Sequence, residues 1–207
     1  MLVDPLRPGH ETTHHPGEAV LRMADIVVVA KTNSATEADI QADTKTARRL
    51  APEAPVCRAV SIITLDDPAA VAGRRVLVVD DGPTITHGDI AYGAGYVAAI
   101  QAQAAEIVDP RASAVGEIAD VFRLHAHIGK VLPAMGYSAK ELQELQATIN
   151  GSGADVVVAG TPSDLTHLMR LEKPVVRARY SFAETDEPSL SALVADFLER
   201  RNISGRS

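Results

Sequence analysis

Short aliphatic runs alternate along the chain with longer segments in which apolar residues recur at helical spacing. The runs are DIVVVA (25–30), PVCRAVSII (55–63), RRVLVVDD (74–81), AEIVD (105–109), ADVVVAG (154–160) and PVVRARY (174–180). Apolar at nearly every position, they suit strands buried on both faces, as in a parallel sheet covered by crossover helices. The segments between them, TEADIQADTKTARRLA (36–51), AGYVAAIQAQA (94–104), VGEIADVFRLHA (115–126) and SAKELQELQATIN (138–150), read as helices. Ser138 with Glu141 makes a capping-box pattern, and Gly151 is expected to stop that helix in a left-handed conformation. The predicted class is α/β, with parallel sheet layers and helices on both faces. The proline-aspartate punctuation of TLDDP (64–68) and the Gly-Arg pair before VLVVDD mark a boundary near 64–73, and the tail after Arg201 is expected to fray.

Composition adds exclusions. Of the 207 residues 46% are hydrophobic and 23% charged, and no apolar run approaches the roughly 20 residues that span a bilayer. Met1 is followed by Leu-Val-Asp-Pro rather than a basic stretch and an apolar core, so a cytoplasmic protein without a membrane segment is the expectation. The single cysteine, Cys57, leaves no internal disulfide or cysteine-based zinc cluster and is expected to be buried in a strand. A formal charge of −7, with 3% aromatic residues and no Trp, argues against a nucleic-acid partner. A local basic pocket for a phosphorylated small molecule stays open.

Three stretches carry candidate chemistry. The first is MLVDPLRPGHETTHHPGE at the start, where a loop past Leu2-Val3 bunches Asp4, Arg7, His10, Glu11, His14 and His15. His10-Glu11-Thr12-Thr13-His14 matches the HExxH pattern of zinc peptidases, which works only on a helix. Pro8-Gly9 and Pro16-Gly17 leave little room for one. A solvated polar loop is one reading of the stretch. Another is a phosphate or magnesium site at a strand end, with Asp4 holding a magnesium water, Arg7 neutralising phosphate and His10 or Glu11 moving a proton.

The second stretch, VVVAKTNSA, ends a buried strand in Lys31-Thr32-Asn33-Ser34. It falls short of the guanine-selecting Asn-Lys-x-Asp pattern, because Ala30 stands in place of the Asn and Asn33 in place of the Asp. Asn33-Ser34 also reads as a turn and helix cap.

The third, VLVVDDGPTITHGDIAYGAGYVAA (76–99), runs a buried strand into a loop with Asp81, Gly82, Thr84, Thr86, His87 and Gly88, after which Gly93-Ala94-Gly95 opens a helix. Free amides and a positive helix end suit an anion there, though glycines also serve tight turns. Two further strand ends, with Thr161 in AGTPSDLTH and Arg177 and Arg179 in VVRARY, could line the same face, since ligands collect at the carboxyl ends of open parallel sheets. The two arginines alternate, so both could reach one anion or both could be paired surface charges.

Taken together, DPLRPGHE, HHPGE, LRMADIVVVAK, RRVLVVDDGPTITHGDIAYGAGYVAA, AEIVDPRASAVGEI, VLPAMGY and DVVVAGTPSDL resemble the cyclic 2,3-diphosphoglycerate synthetase family, also described as predicted GTPases. The resemblance runs from residue 2 to about 182 and covers the carboxyl-terminal half of such proteins. It implies that residues 1–66 are the end of a P-loop nucleoside-triphosphate domain and 67–207 a Rossmann-like domain that binds a phosphorylated metabolite. It implies ATP and magnesium as cofactors, driving closure of a phosphoanhydride in a phosphorylated glycerate. Asp4 would face magnesium, Arg7, His10, Glu11 and His15 the phosphates, and Lys31 and Asn33 the nucleotide. The second domain would bind substrate through Asp81, Gly82, Thr84, Thr86, His87, Gly88, Gly93, Gly95, Thr161, Arg177 and Arg179.

No GxxxxGK[ST] loop occurs in the sequence, so the chain alone is expected to be inactive. A separate P-loop-containing chain, or a second copy in a homodimer, are the partners to consider. The rival readings are a free-standing phosphometabolite- or nucleotide-binding regulatory module, and a metal-dependent hydrolase using His10, His14 and His15.

Overall fold

The structure is a computed structural model that describes residues 1–87, 90–135, 138–185 and 188–201. In chain order its elements are β1 (Leu2–Val3), α1 (His10–Thr13), α2 (Gly17–Arg22), β2 (Val27–Val29), α3 (Glu37–Leu50), β3 (Val56–Leu65), β4 (Arg75–Asp81), α4 (Gly82–His87), α5 (Ala94–Gln101) and β5 (Glu106–Ile107). A 3-10 turn at Pro110–Ala112 follows, then α6 (Gly116–Leu124), β6 (Leu132–Ala134), α7 (Ala139–Gly151), β7 (Val156–Gly160), α8 (Leu165–Leu168), β8 (Val175–Glu184) and α9 (Leu190–Arg200). The class is α/β with a mostly parallel sheet, as the alternation of apolar runs and helical segments predicts. Among the described residues no helix is long and apolar enough to cross a membrane.

The chain forms two compact units, Met1–Ile62 with Ser181–Ser207, and Ile63–Tyr180. The return of the chain after Tyr180 differs from a second domain running 67–207. Its physical reason is α9, whose buried Leu193 packs with Val28, Cys57 and Ala59 of the first unit. The amphipathic stretch that forms α9 is capped by Ser189, whose hydroxyl accepts from the Ala192 amide, and it went unrecognised in the sequence.

In the first unit β1, β2 and β3 are parallel, with Val3 opposite Val29 and Val29 opposite Arg58. Alternation along β2 divides the packing. Val27 joins Val3, Leu21, Ala47 and Leu50, contributed by β1, α2 and α3, whereas Val28 joins the α9 side. Helices therefore cover both faces of this sheet. Cys57 is buried in β3, as expected.

In the second unit β4 is central, pairing in parallel with β7 from Val76↔Val156 to Asp80↔Gly160. Its start pairs with β5 and its end with β6, while β7 pairs with β8 from Val157↔Val175 to Ala159↔Arg177. Val76 to Val79 and Val156 to Ala159 are all almost fully buried, which is the requirement that made these runs apolar at every position.

Several local expectations need correction. Gly151 does not stop α7 in a left-handed conformation. It is the last helical residue, and the extended Ser152 ends the helix with its hydroxyl donating to the Ile149 carbonyl at 2.7 Å. The capping box at Ser138 is present in full. Residues 82 to 87 are the helix α4 rather than loop, and His10–Thr13 makes a helical turn between the two Pro-Gly pairs.

Candidate functional site

The first unit brings several candidates together at the carboxyl ends of β1 and β2. Asp4 follows β1 and Lys31 follows β2, and the Lys31 ammonium donates to Asp4 Oδ2 at 2.7 Å. Arg7 Nε stands 3.7 Å from the same oxygen, and the Leu6 amide donates to the other at 3.2 Å. Lys31 holds a left-handed backbone, φ 55°, that a non-glycine residue adopts at a cost, and such outliers concentrate where surrounding structure enforces a geometry. The enforcing contacts are visible: the Thr32 amide and hydroxyl both donate to the Ala59 carbonyl at 3.0 Å.

Behind this surface lies a buried polar layer. Glu11, on α1, is 7% exposed and Asp43, on α3, is 1% exposed. Arg7 Nε, Glu11 Oε2 and Asp43 Oδ2 are buried without a hydrogen-bond partner among the described residues. Burial raises the Asp43 carboxyl from 3.8 to about 7, and the charges of Glu11, Asp4 and Asp39 add to the shift. Asp43 escaped the sequence reading, although a signal existed. It shares the inward stripe of α3 with Ile40, Ala47 and Leu50, and an acid at an apolar position of an amphipathic helix needs an explanation.

His10 and His14 stack with ring centroids 3.9 Å apart, and the Thr13 hydroxyl lies 3.1 Å from His14 Nδ1. Rings laid face to face do not converge their nitrogens on one ion. Among the described residues no group of three or more His, Cys, Asp or Glu side chains could hold a metal. His15 is exposed to solvent. Asn33 is bound to the backbone: its side-chain amide donates to the Ser61 carbonyl at 2.9 Å and its oxygen accepts from the Ser61 amide at 3.0 Å. That pairing extends the edge of β3 and leaves the side-chain amide committed to structure.

In the second unit the amides expected to cradle an anion are already occupied. Asp80, fully buried, accepts from Gly93 at 2.9 Å, Gly95 at 2.7 Å and Tyr96 at 3.3 Å, so the anion at the start of α5 is the protein's own carboxylate. Burial pushes this carboxyl up to about 6 even though the three amides oppose the shift. Gly95 and Gly160 are glycines because a Cβ at the first would sit 2.7 Å from Asp80 Oδ1, and one at the second would overlap the same carboxylate.

Asp81 accepts from the Thr84 hydroxyl at 2.7 Å, and the Thr86 hydroxyl donates to the Gly82 carbonyl at 2.9 Å, so both hydroxyls make local helical contacts. Thr161 is buried beyond β7, accepting from the Ser163 amide at 3.4 Å. Arg177 donates to the Pro162 carbonyl at 3.1 Å and faces Asp164 at 3.8 Å. Arg179 grips Asp66 through two bonds of 2.6 and 2.8 Å, which hold the Asp66 carboxyl below the usual carboxylate range. The two arginines thus bind separate internal partners. Gly88 and the His87 side chain lie outside what the structure describes. A groove in the first unit is lined by Ala24, Asp25, Glu53, Phe197 and Arg201 and contains none of the candidates.

The fold and this strand-end cluster define an α/β protein in which Arg7 and Lys31 face Asp4 beyond the first strands and two acids, Glu11 and Asp43, are buried in the same unit. No family model matches the chain. Over 197 residues it is 46% identical to the arginine synthetase ArcE of Thermococcus kodakarensis, a match that takes in 95% of this chain and 44% of that protein. The chain thus spans less than half the length of this relative. The relative's name agrees with a synthetase class and does not mention the cyclic diphosphoglycerate that the resemblance in the sequence implies.

Proposed function

We propose that the chain is the carboxyl-terminal part of a synthetase-like, ATP-dependent ligase, and that Asp4, Arg7, Glu11 and Lys31 meet the anionic reactant. The observation that carries this reading is the 46% identity, over 95% of the chain, to a protein named a synthetase. The geometry supports the placement. Open parallel sheets bind ligands beyond their strand carboxyl ends, where Asp4 and Lys31 stand. Arg7 has a buried Nε without a hydrogen-bond partner, and a guanidinium is suited to phosphate or carboxylate in a fork geometry. Asp4 restrains both cations, so an arriving anion would compete with it for Lys31 and Arg7. His10, His15 and Asn33 have no place in this reading, because stacking, exposure and backbone pairing account for them.

Magnesium fits less well than the anion. One Asp4 oxygen is taken by Lys31 and the other by the Leu6 amide, so no step is assigned to a metal at this residue. Because the chain spans 44% of its relative, turnover is proposed for the assembled enzyme, and the chain alone is expected to show none.

Arginine, from the relative's name, is the favoured product, with cyclic 2,3-diphosphoglycerate second. A ligase run backwards forms ATP from ADP, phosphate and its product. The test is luciferase-detected ATP formation by the chain combined with a polypeptide matching the remainder of the relative. ATP formed with arginine supports the favoured product, and ATP formed only with the cyclic diphosphoglycerate transfers the reading to the second. No ATP with either removes the ligase assignment.

A further inference from the structure

Among the described residues two non-glycines hold a left-handed backbone, Gln103 at φ 59° and Lys31 at φ 55°. Gln103 follows Ala102, which ends α5, and a left-handed residue there is an ordinary helix stop. Lys31 lies just past the strand β2, so that reason does not apply. The β2–β3 ladder supplies another. Parallel partners advance two residues at a time, and the Val27 amide donates to the Pro55 carbonyl at 2.9 Å. Regular continuation would bring the Lys31 amide to the Ala59 carbonyl. The Thr32 amide is there instead, at 3.0 Å. The chain has gained one residue on β3, and left-handed Lys31 absorbs it as the opening residue of a bulge does.

Glycine takes such a position without steric cost, whereas lysine adopts it against a clash of its Cβ. A side chain kept there points to a use for it. The Lys31 ammonium donates to Asp4 Oδ2 at 2.7 Å, beyond β1. Thr32 holds the slip twice over, because its hydroxyl also donates to the Ala59 carbonyl, at 3.0 Å, on the second lone pair. Ala59 is fully buried, which keeps bulk water from taking the place of that hydroxyl. We propose that Thr32 is a positioning residue that sets the reach of Lys31 toward the anionic reactant. The use made of Lys31 rests on the ligase reading; the hold of Thr32 on it does not.

Nitrogen-15 relaxation of the lysine ammonium groups in the purified chain tests that hold. In wild type Lys31 is expected to be clearly more ordered than Lys45, an exposed lysine on α3. Thr32→Val keeps the amide and the shape but loses the hydroxyl, and should lose most of that excess order; Thr32→Ser should restore it. Reverse ATP formation by the assembled enzyme tests the use, with a loss of roughly tenfold expected for Thr32→Val and recovery in Thr32→Ser.

Lys31 order unchanged in Thr32→Val overturns the proposal, and so does lost order with a rate within about twofold of wild type. A wild-type assembly that forms no ATP removes the ligase reading, and the relaxation data alone then uphold or overturn the hold of Thr32 on Lys31. Should Thr32→Val not fold, hydrogen exchange in wild type decides. A Thr32 amide protected as well as that of Val27 supports the bulge, and an unprotected one overturns it.

Discussion

Replacing Asp80 with alanine is expected to be among the costliest single changes in the second unit. The carboxylate is fully buried and satisfies the amides of Gly93, Gly95 and Tyr96 at the start of α5. A buried donor left without a partner costs about 1–3 kcal/mol, so three of them cost roughly 3–9 kcal/mol before relaxation. One term opposes this. The carboxyl is raised from 3.8 to about 6, so holding it ionised at pH 7 costs the fold about 3 kcal/mol, which alanine recovers. The net loss at pH 7 is then roughly 0–6 kcal/mol, with water reaching the freed amides drawing it toward the lower half of that range, and it is larger at pH 5.

The sign of the pH dependence follows from the raised value. The stability contributed by Asp80 is full below about 3.8 and is lost as pH rises through about 6, so Asp80→Ala should cost more at pH 5 than at pH 7. Urea unfolding followed by far-ultraviolet circular dichroism at both pH values measures the cost. Hydrogen exchange at Gly93, Gly95 and Tyr96 locates it. A variant within about 1 kcal/mol of wild type at both pH values, with these amides still protected, would refute the reasoning.

Gly160→Ala should destabilise the same region by about 1–3 kcal/mol or more, since its Cβ would overlap Asp80; thermal melting checks this. Asn33→Ala, which removes two hydrogen bonds to the Ser61 backbone, should cost about 1–2 kcal/mol in urea unfolding without altering affinity for nucleotide measured by titration calorimetry. Arg179→Ala should leave ligand binding untouched, because its guanidinium is held by Asp66.

The strands β2, β4 and β7 were legible because they are buried on both faces, and burial on both faces writes itself into sequence as uninterrupted apolar runs such as Val76 to Val79. The helices α3, α5, α6 and α7 were legible from their periodicity. The short α1 and α4 were not, since four and six residues are too few for a period to show. The strand-end position of Asp4 could be read from Leu2-Val3, but its pairing with Lys31 joins residues 27 positions apart and depends on the β1–β2 register. The glycines of the third stretch read as an anion cradle or as tight turns, and a carboxylate does lie against them. It is that of Asp80, a contact that exists only once β4, β7 and α5 are packed together.

The central claim is that chemistry resides at the β1–β2 strand ends rather than beyond β4 and β8. The most direct measurement is the rate of reverse ATP formation in the assembled enzyme for Arg7→Met, set beside the double variant Arg177→Met, Arg179→Met. The account predicts a loss of roughly 100-fold or more for Arg7→Met, as expected for a group that stabilises transferring charge, and a rate within about threefold of wild type for the double variant. A near-normal rate for Arg7→Met together with a collapse in the double variant would contradict it.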